Sequence, residues 1–171
     1  FIAAFPALCS AFVFSASTKR RQYALVIVFI LSGIFAELVP YIVPGVKGVP
    51  PLPQPIYGGT VAFFFVPWVL FFLSPLGNRL QTSIRRDDVS ARLLMLFLGF
   101  LSGLMLWSLW QIALWAVATS FPPAVTLGLW YYALVSPLLL AVIASVLAAP
   151  LLAALRKSGL PAPPGVPWAP S

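Results

Sequence analysis

Long apolar runs separated by short polar stretches dominate the pattern of this chain. The runs lie at residues 1–16, 23–43, 60–76, 93–119 and 129–155. A helix that crosses the hydrocarbon core of a bilayer needs about 20 apolar residues, and the second, fourth and fifth runs meet that length. No run alternates between apolar and polar residues, as the strands of a membrane barrel do. The pattern predicts an all-α integral membrane protein, built as a bundle of about five transmembrane helices.

Basic residues mark one side of this predicted bundle. If all five runs span, nine of the ten Lys and Arg residues fall on one side, in the stretches 17–22, 77–92 and 156–157. The two stretches on the opposite side contain only Lys47. Because basic residues are retained on the cytoplasmic side, the chain is expected to be multi-pass, with its N-terminus outside and its C-terminus in the cytoplasm, or on the equivalent sides of an organelle membrane. A helix before Phe1 would give six spans without disturbing this alternation.

Prolines shape both the spans and their flanks. The expected transmembrane helical domain covers residues 1–157, and a Pro-rich cytoplasmic tail follows at 158–171. Proline removes a backbone hydrogen bond and kinks a helix. Within the spans, such kinks are expected at Pro67, Pro75, Pro137 and Pro150. Five more prolines crowd residues 44–59, which we expect to lack helix and to form a stiff strap on the outer membrane face, or alternatively a lid or partner surface.

Composition supports the membrane interpretation and narrows the chemistry. Hydrophobic residues make up 61% of the chain and charged residues 8%, whereas soluble domains carry about 25% charged residues. The net charge of +7 comes from short clusters between apolar runs, so it favours anionic lipid headgroups over nucleic acid as a partner. The chain has no His and a single Cys, Cys9, which argues against haem, the usual zinc sites and an internal disulfide. We therefore predict no cofactor and no metal, and we expect the lipid bilayer, bound lipid and other membrane subunits as partners.

Glu37 is the only acidic residue within an apolar run. An ionisable group in hydrocarbon costs at least a few kcal/mol unless it is paired, protonated or hydrated. In a functional interpretation Glu37 carries protons, binds a cation or anchors a ligand, next to an irregular helix end at Pro40 and Pro44. In a structural interpretation it is a protonated carboxyl bonded to a neighbouring helix, or a side chain that reaches the outer interface. Lys47 is the nearest cation on that side.

Aromatic side chains and an amide follow each other in the fourth run. Trp107 and Trp110 are three residues apart, so they are expected to share a helix face, and Gln111 lies beside them. Both tryptophans fall deeper than the interfacial belt that tryptophan usually occupies. They are expected either to pack against other helices or to form the wall of a lipid, quinone or pigment pocket, where Gln111 would supply a hydrogen bond.

Small residues indicate where helices approach each other. Gly99 and Gly103 form a GxxxG pattern in the fourth run, and Ala141, Ser145 and Ala149 form a matching strip in the fifth. Small residues four apart share a face and let two backbones come close in a membrane. We expect these strips to make helix contacts, either within the chain or with another subunit.

The outline of the chain resembles one known family. Five spans, an outside N-terminus and this length are similar to the five-helix type of subunit in respiratory complex I. The segment Tyr57-Gly58-Gly59 is similar to the Tyr-Ala-Gly start of that family's third helix, whereas the prolines from Pro50 to Pro55 depart from its pattern. The resemblance implies a subunit of an energy-transducing assembly.

The scarcity of polar groups in the spans leaves three hypotheses for function. The first is a non-catalytic membrane subunit of a larger energy-transducing or transport complex. The second is a small-solute or ion transport component that uses Glu37. The third, a membrane enzyme acting on lipid or isoprenoid substrates, has the least support, because catalysis needs several converging polar groups. The sequence therefore leans against an enzyme, and it predicts no catalytic residue.

Overall fold

The computed structural model describes residues 4–16, 18–42, 54–84, 88–118 and 123–158. These residues are almost all helical and contain no strand. The helices are α1 (Ala4–Phe14), α2 (Lys19–Ile42), α3 (Gln54–Leu73), α4 (Pro75–Ile84), α5 (Val89–Ala118) and α6 (Pro123–Lys157). The all-α expectation is thus confirmed for the described part of the chain.

Three described helices contain stretches that are long and apolar enough to cross a membrane. These stretches are Lys19–Leu38, Val89–Gln111 and Leu134–Leu155. Ala4–Phe14 and Val61–Leu73 are apolar but shorter. By length and composition, the helices are those of a membrane-embedded protein.

Two proline-containing stretches are helical where the sequence pattern indicated loops. The prediction that residues 44–59 lack helix is wrong from Gln54 onward, because α3 begins there and contains Pro55 in its first turn. Proline fits that turn since the first backbone N–H groups of a helix have no partner within it. For the same reason Pro123 can begin α6. Residues 43–53, most of the predicted strap, and residues 159–171, most of the predicted tail, lie outside the described residues.

The basic stretch 77–92 was expected to be a loop, but it contains most of α4. The break between α3 and α4 falls at Ser74, because Pro75 disfavours helical backbone in the residue before it. The Ser74 Oγ donates to the carbonyl of Phe71 at 2.7 Å and accepts from the N–H of Leu76 at 3.2 Å. In α4, Leu80 is buried and Arg79 is exposed. The helix is therefore amphipathic, with one face on the bundle.

The α2 helix begins four residues before its apolar run and is described as far as Ile42, one residue before the end of that run. Its first residue is Lys19, and the Thr18 Oγ1 accepts from the backbone N–H of Arg21 at 3.3 Å, as a helix cap does. The other end corrects the expectation of a broken helix around Pro40, because α2 stays helical to Ile42. Pro44 lies outside the described residues.

The helix α5 forms the centre of the bundle, since it contacts each of the other five described helices. Its packing against α1 is antiparallel, because Gly99 lies against Phe14 while Gly103, one turn on, lies against Ser10. The packing of α3 on α2 is antiparallel too. Phe72 stacks on Phe29 with ring centroids 6.0 Å apart, and four residues further along α2, Gly33 meets Phe65.

Burial differs sharply between the two longest helices. In the apolar stretch of α5, 61% of the residues are buried, whereas the figure for α6 is 11%. The α6 helix packs mainly against α5. Its outward side chains are large and apolar, among them Leu139, Val142, Ile143, Val146, Leu147 and Leu151. One side of the bundle is thus an extended apolar face.

Candidate functional site

The two tryptophans Trp107 and Trp110 project from neighbouring parts of one side of α5 but contact different helices. Trp107 packs against Phe5 of α1, with ring centroids 5.5 Å apart. Trp110 packs against Phe35 of α2, with ring centroids 5.0 Å apart. A separation of three residues turns the helix by about 300°, which leaves the two side chains about 60° apart. That angle is enough to direct them toward α1 and α2 respectively.

Trp110 makes a polar contact between helices. Its indole Nε1–H donates to the Oγ of Ser32 at 3.1 Å. Ser32 is 3% exposed, while Trp110 is 40% exposed. A buried hydroxyl and an indole N–H each need a partner away from water, so this bond satisfies two groups at once. It fixes α2 against α5 at this level.

Trp107 and Gln111 line a cavity of about 150 Å³ between α1, α5 and α6. The α5 helix contributes Leu104 and Ser108 as well, and α1 contributes Pro6. The lining residues from α6 are Tyr132, Ser136, Pro137 and Leu140. The cavity lies in the half of the bundle that is distant from the basic start of α2. It combines apolar walls with amide and hydroxyl groups.

The polar groups of this cavity differ in how they are satisfied. The hydroxyl of Ser108 donates to the carbonyl of Leu104 on its own helix at 3.0 Å. No residue in the described part of the chain makes a hydrogen bond with the side chain of Gln111, Ser136 or Tyr132. Gln111 and Ser136 are both only partly exposed. Their donors and acceptors are therefore available to a molecule in the cavity.

Glu37 lies elsewhere, five residues beyond Ser32 on α2. Its side chain is half-buried, next to the fully buried Ala36. It follows Gly33 by one helical turn, on the side of α2 that meets α3. Within the described residues, no side chain forms a hydrogen bond or ion pair with its carboxyl group. Glu37, Trp110 and the cavity are thus three separate features in the same half of the bundle.

The glycines Gly99 and Gly103 lie against α1 and not against α6. A Cβ atom on Gly103 would be 2.5 Å from the Cα of Ser10, and one on Gly99 would meet the ring of Phe14. The glycines thus make a helix contact within the chain, one of the two expected alternatives, but their partner is α1 and not the matching strip of α6.

The small-residue strip of α6 faces α5 at two of its three residues. Ala141 is fully buried and Ser145 is 3% exposed, while Ala149 is partly exposed. The Oγ of Ser145 donates to the carbonyl of Ala141 at 2.5 Å. The strip thus brings the backbones of α5 and α6 close together.

Several residues of these features had no distinct signal in the sequence. Ser32 is the single serine of its apolar run, Ser136 shares its run with Ser145, and Pro6 is one of many prolines. Gly33 has no second glycine at a spacing of four, so no packing pattern marked it. A serine within a span is the only sequence feature that indicates such a contact, because its hydroxyl usually bonds to a neighbouring helix or to its own backbone.

The chain matches no protein-family model, no curated protein and no solved structure. The similarity to a respiratory-complex subunit thus gains no support from these comparisons.

Proposed function

We propose that this chain is a non-catalytic, five-span subunit of a larger membrane assembly of the transport or energy-transducing type. The observation that supports this proposal is the sparse packing of α6, with 11% of its apolar stretch buried. The α6 helix forms one wall of the bundle and packs mainly against a single neighbour. It therefore leaves exposed surface that a partner helix can cover. Lipid covers the same face in a monomer, so the experiment must separate the two.

Small residues on α6 favour a protein partner. Ala144 and Ala148 are one turn apart and partly exposed, beside the buried pair Ala141 and Ser145. They sit at the edge of the apolar face that contains Leu147. Small side chains flanked by large aliphatic ones let a second helix approach closely, which is the usual geometry of helix pairs in membranes.

The proposed topology has α1, α2, α3, α5 and α6 as spans, with the N-terminus outside and the C-terminus in the cytoplasm. The amphipathic α4 would then lie at the cytoplasmic interface, its exposed Arg79 toward headgroups and its buried Leu80 on the bundle. The antiparallel packing of α1 on α5 and of α3 on α2 agrees with this alternation. Cytoplasmic labelling of Lys19 and Lys157 in sealed vesicles would support it, and external labelling of either would contradict it.

The assembly proposal can be tested by gentle solubilisation followed by native mass spectrometry. We expect the chain to be recovered with other subunits at fixed stoichiometry. Leu147→Trp on α6 should release the partner, because a bulky ring on the docking face prevents close approach. Leu70→Trp on α3 is the matched control, since the two leucines are 65% and 61% exposed. A monomer in every preparation, or equal retention of the partner in both variants, would overturn the proposal.

A second candidate function is ion or small-solute transport through Glu37. The half-buried carboxyl group has no bonding partner among the described residues, and an unpaired acid at this depth is typical of proton or cation pathways. Glu37→Gln preserves the shape and removes the charge. It should abolish proton- or cation-dependent uptake in vesicles, whereas unchanged uptake would eliminate this function.

A further inference from the structure

We infer that the cavity between α1, α5 and α6 binds an uncharged ring that carries carbonyl oxygens, such as the benzoquinone head of a membrane quinone. The inference concerns Trp107, Gln111 and Ser136, and it stands independently of the proposed docking face. Nothing in the assembly proposal assigns a ligand to these residues.

The size of the cavity limits the ligand to about one ring. Its volume is about 150 Å³, and an apolar protein cavity of about this size accommodates benzene. A haem, a carotenoid ring system or a whole lipid would not fit inside. The cavity is also partly open, so an attached tail can leave toward the lipid around the bundle.

The polar groups of the lining favour oxygen atoms on that ring. The amide of Gln111 and the hydroxyl of Ser136 make no hydrogen bond with any described residue. An unpaired amide is costly in an environment that excludes water. Both groups can donate, so carbonyl oxygens on the ligand can accept from the Gln111 N–H and the Ser136 O–H. A purely hydrocarbon ring would leave them unpaired.

The charge of the lining excludes ionic ligands. No Lys, Arg, Asp or Glu belongs to the residues that line the cavity. A charged ligand would lose its hydration without gaining a counter-charge. Trp107 instead supplies an electron-rich aromatic face, which stacks favourably on an electron-poor ring. An uncharged quinone ring combines the required size, acceptors and aromatic character.

The test is equilibrium dialysis of a labelled short-chain 1,4-benzoquinone against the full-length chain in lipid nanodiscs, with empty nanodiscs subtracted. We expect a saturable component of one quinone per chain. Gln111→Met keeps the length of the side chain and removes its hydrogen bonds, so binding should weaken roughly three- to tenfold. Trp110→Phe is the control, because Trp110 faces α2 and not the cavity.

A second pair of variants tests occupancy of the space itself. Leu140 lines the cavity, and its neighbour Leu139 is exposed on the outer side of α6. Leu140→Trp should fill the cavity and abolish the saturable component, whereas Leu139→Trp should leave it unchanged. Helical content and size-exclusion behaviour would establish that each variant is folded.

The comparison ligand is p-xylene, a ring of similar size without oxygen atoms. We expect it to compete weakly with the quinone and to be insensitive to Gln111→Met. If p-xylene competes as well as unlabelled quinone does, the cavity takes apolar groups such as lipid tails and the inference is wrong. Absence of a saturable component, or equal binding by Leu140→Trp and Leu139→Trp, would overturn it as well.

Discussion

Substitution of Gly103 by Ala tests how closely α1 is held against α5. A Cβ atom at Gly103 would lie 2.5 Å from the Cα of Ser10 and 2.7 Å from its backbone N. These are backbone atoms, which cannot rotate away as the end of a side chain does. Ordinary van der Waals contact begins at 3.4 Å. The two helices must therefore separate by about 0.9 Å, the difference between 3.4 and 2.5 Å.

The expected cost follows from two opposing terms. Overpacking of this kind destabilises a protein by about 1–3 kcal/mol, whereas Ala is favoured over Gly within a helix by up to about 1 kcal/mol. We expect a net loss of about 1–2 kcal/mol in the docking of α1. At Gly99 the clash is with the ring of Phe14, which can move, so Gly99→Ala should cost less. Gly59→Ala should be harmless, because no atom lies within 4 Å of the added Cβ.

The assay uses Cys9, which is the single cysteine of the chain and is half-buried next to Ser10. A membrane-permeant maleimide reports how often α1 opens. A loss of about 1–2 kcal/mol should raise the opening population, and with it the labelling rate, roughly 5- to 30-fold. Thermal unfolding in detergent, followed by circular dichroism, would separate local opening from global destabilisation. Equal labelling of wild type, Gly103→Ala and Gly59→Ala would refute the reasoning, since it would mean that this contact does not hold α1.

Three further contacts give predictions of similar size. A double-mutant cycle of Ser32→Ala and Trp110→Phe should yield a coupling energy of about 0.5–1.5 kcal/mol in detergent unfolding, because their 3.1 Å hydrogen bond is partly buried. Additive effects would mean that this bond does not contribute to stability. Gln22→Leu removes the donor that bonds the Gly77 carbonyl at 3.3 Å, so limited proteolysis should cut α4 faster, and an unchanged rate would contradict this link. Asp88→Ala removes the acceptor for the N–H of Ser90 at 2.9 Å and should cost about 1 kcal/mol, whereas Asp88→Asn should retain most of the stability.

The helical nature of the chain and its apolar elements could be predicted because both follow from the local distribution of apolar residues. Apolar runs of about 20 residues have few alternatives to helix in a bilayer, since every backbone group must be paired. The errors lie at the ends of these runs. Proline was treated as an interruption at Pro55 and Pro40, but its effect depends on where in the helix it falls. A sequence window does not reveal which residue is in the first turn.

The identity of packing partners was less accessible. The glycine pair in α5 could be recognised as a contact surface, but its partner is a helix whose own sequence has no small-residue strip at the contact. Ser10 and Phe14 lie on α1 at the crossing. The division of Trp107 and Trp110 between two neighbours depends on the placement of α1 and α2 around α5. Such placement is a property of the whole bundle, so spacing along one helix could not supply it.

Apart from the polar groups that bond between helices, two kinds of polar side chain differ in a way that bears on function. Ser102 and Ser145 donate to carbonyls of their own helices, so these hydroxyls are satisfied wherever the helix lies. Glu37, Gln111 and Ser136 lack a partner among the described residues, and they lie in the half of the bundle distant from Lys19. Because polar groups in lipid need partners, these three are the side chains on which the proposed ligand and ion sites depend.

The helix α6 contributes to both proposed binding events, so the two ligands can influence each other through it. Its residues Ser136 and Leu140 line the cavity, while Leu147, two turns further on, belongs to the apolar docking face. Pro137 itself lines the cavity, about three turns before Leu147, and permits α6 to bend there. If a ring in the cavity alters that bend, quinone should change the affinity of the partner, and the partner must change the affinity of quinone by the same factor. Measuring both factors on one preparation tests this coupling. Unequal factors would show only that binding had not reached equilibrium, because the equality holds for any mechanism. Two factors of one would mean that a ring in the cavity does not affect the docking face.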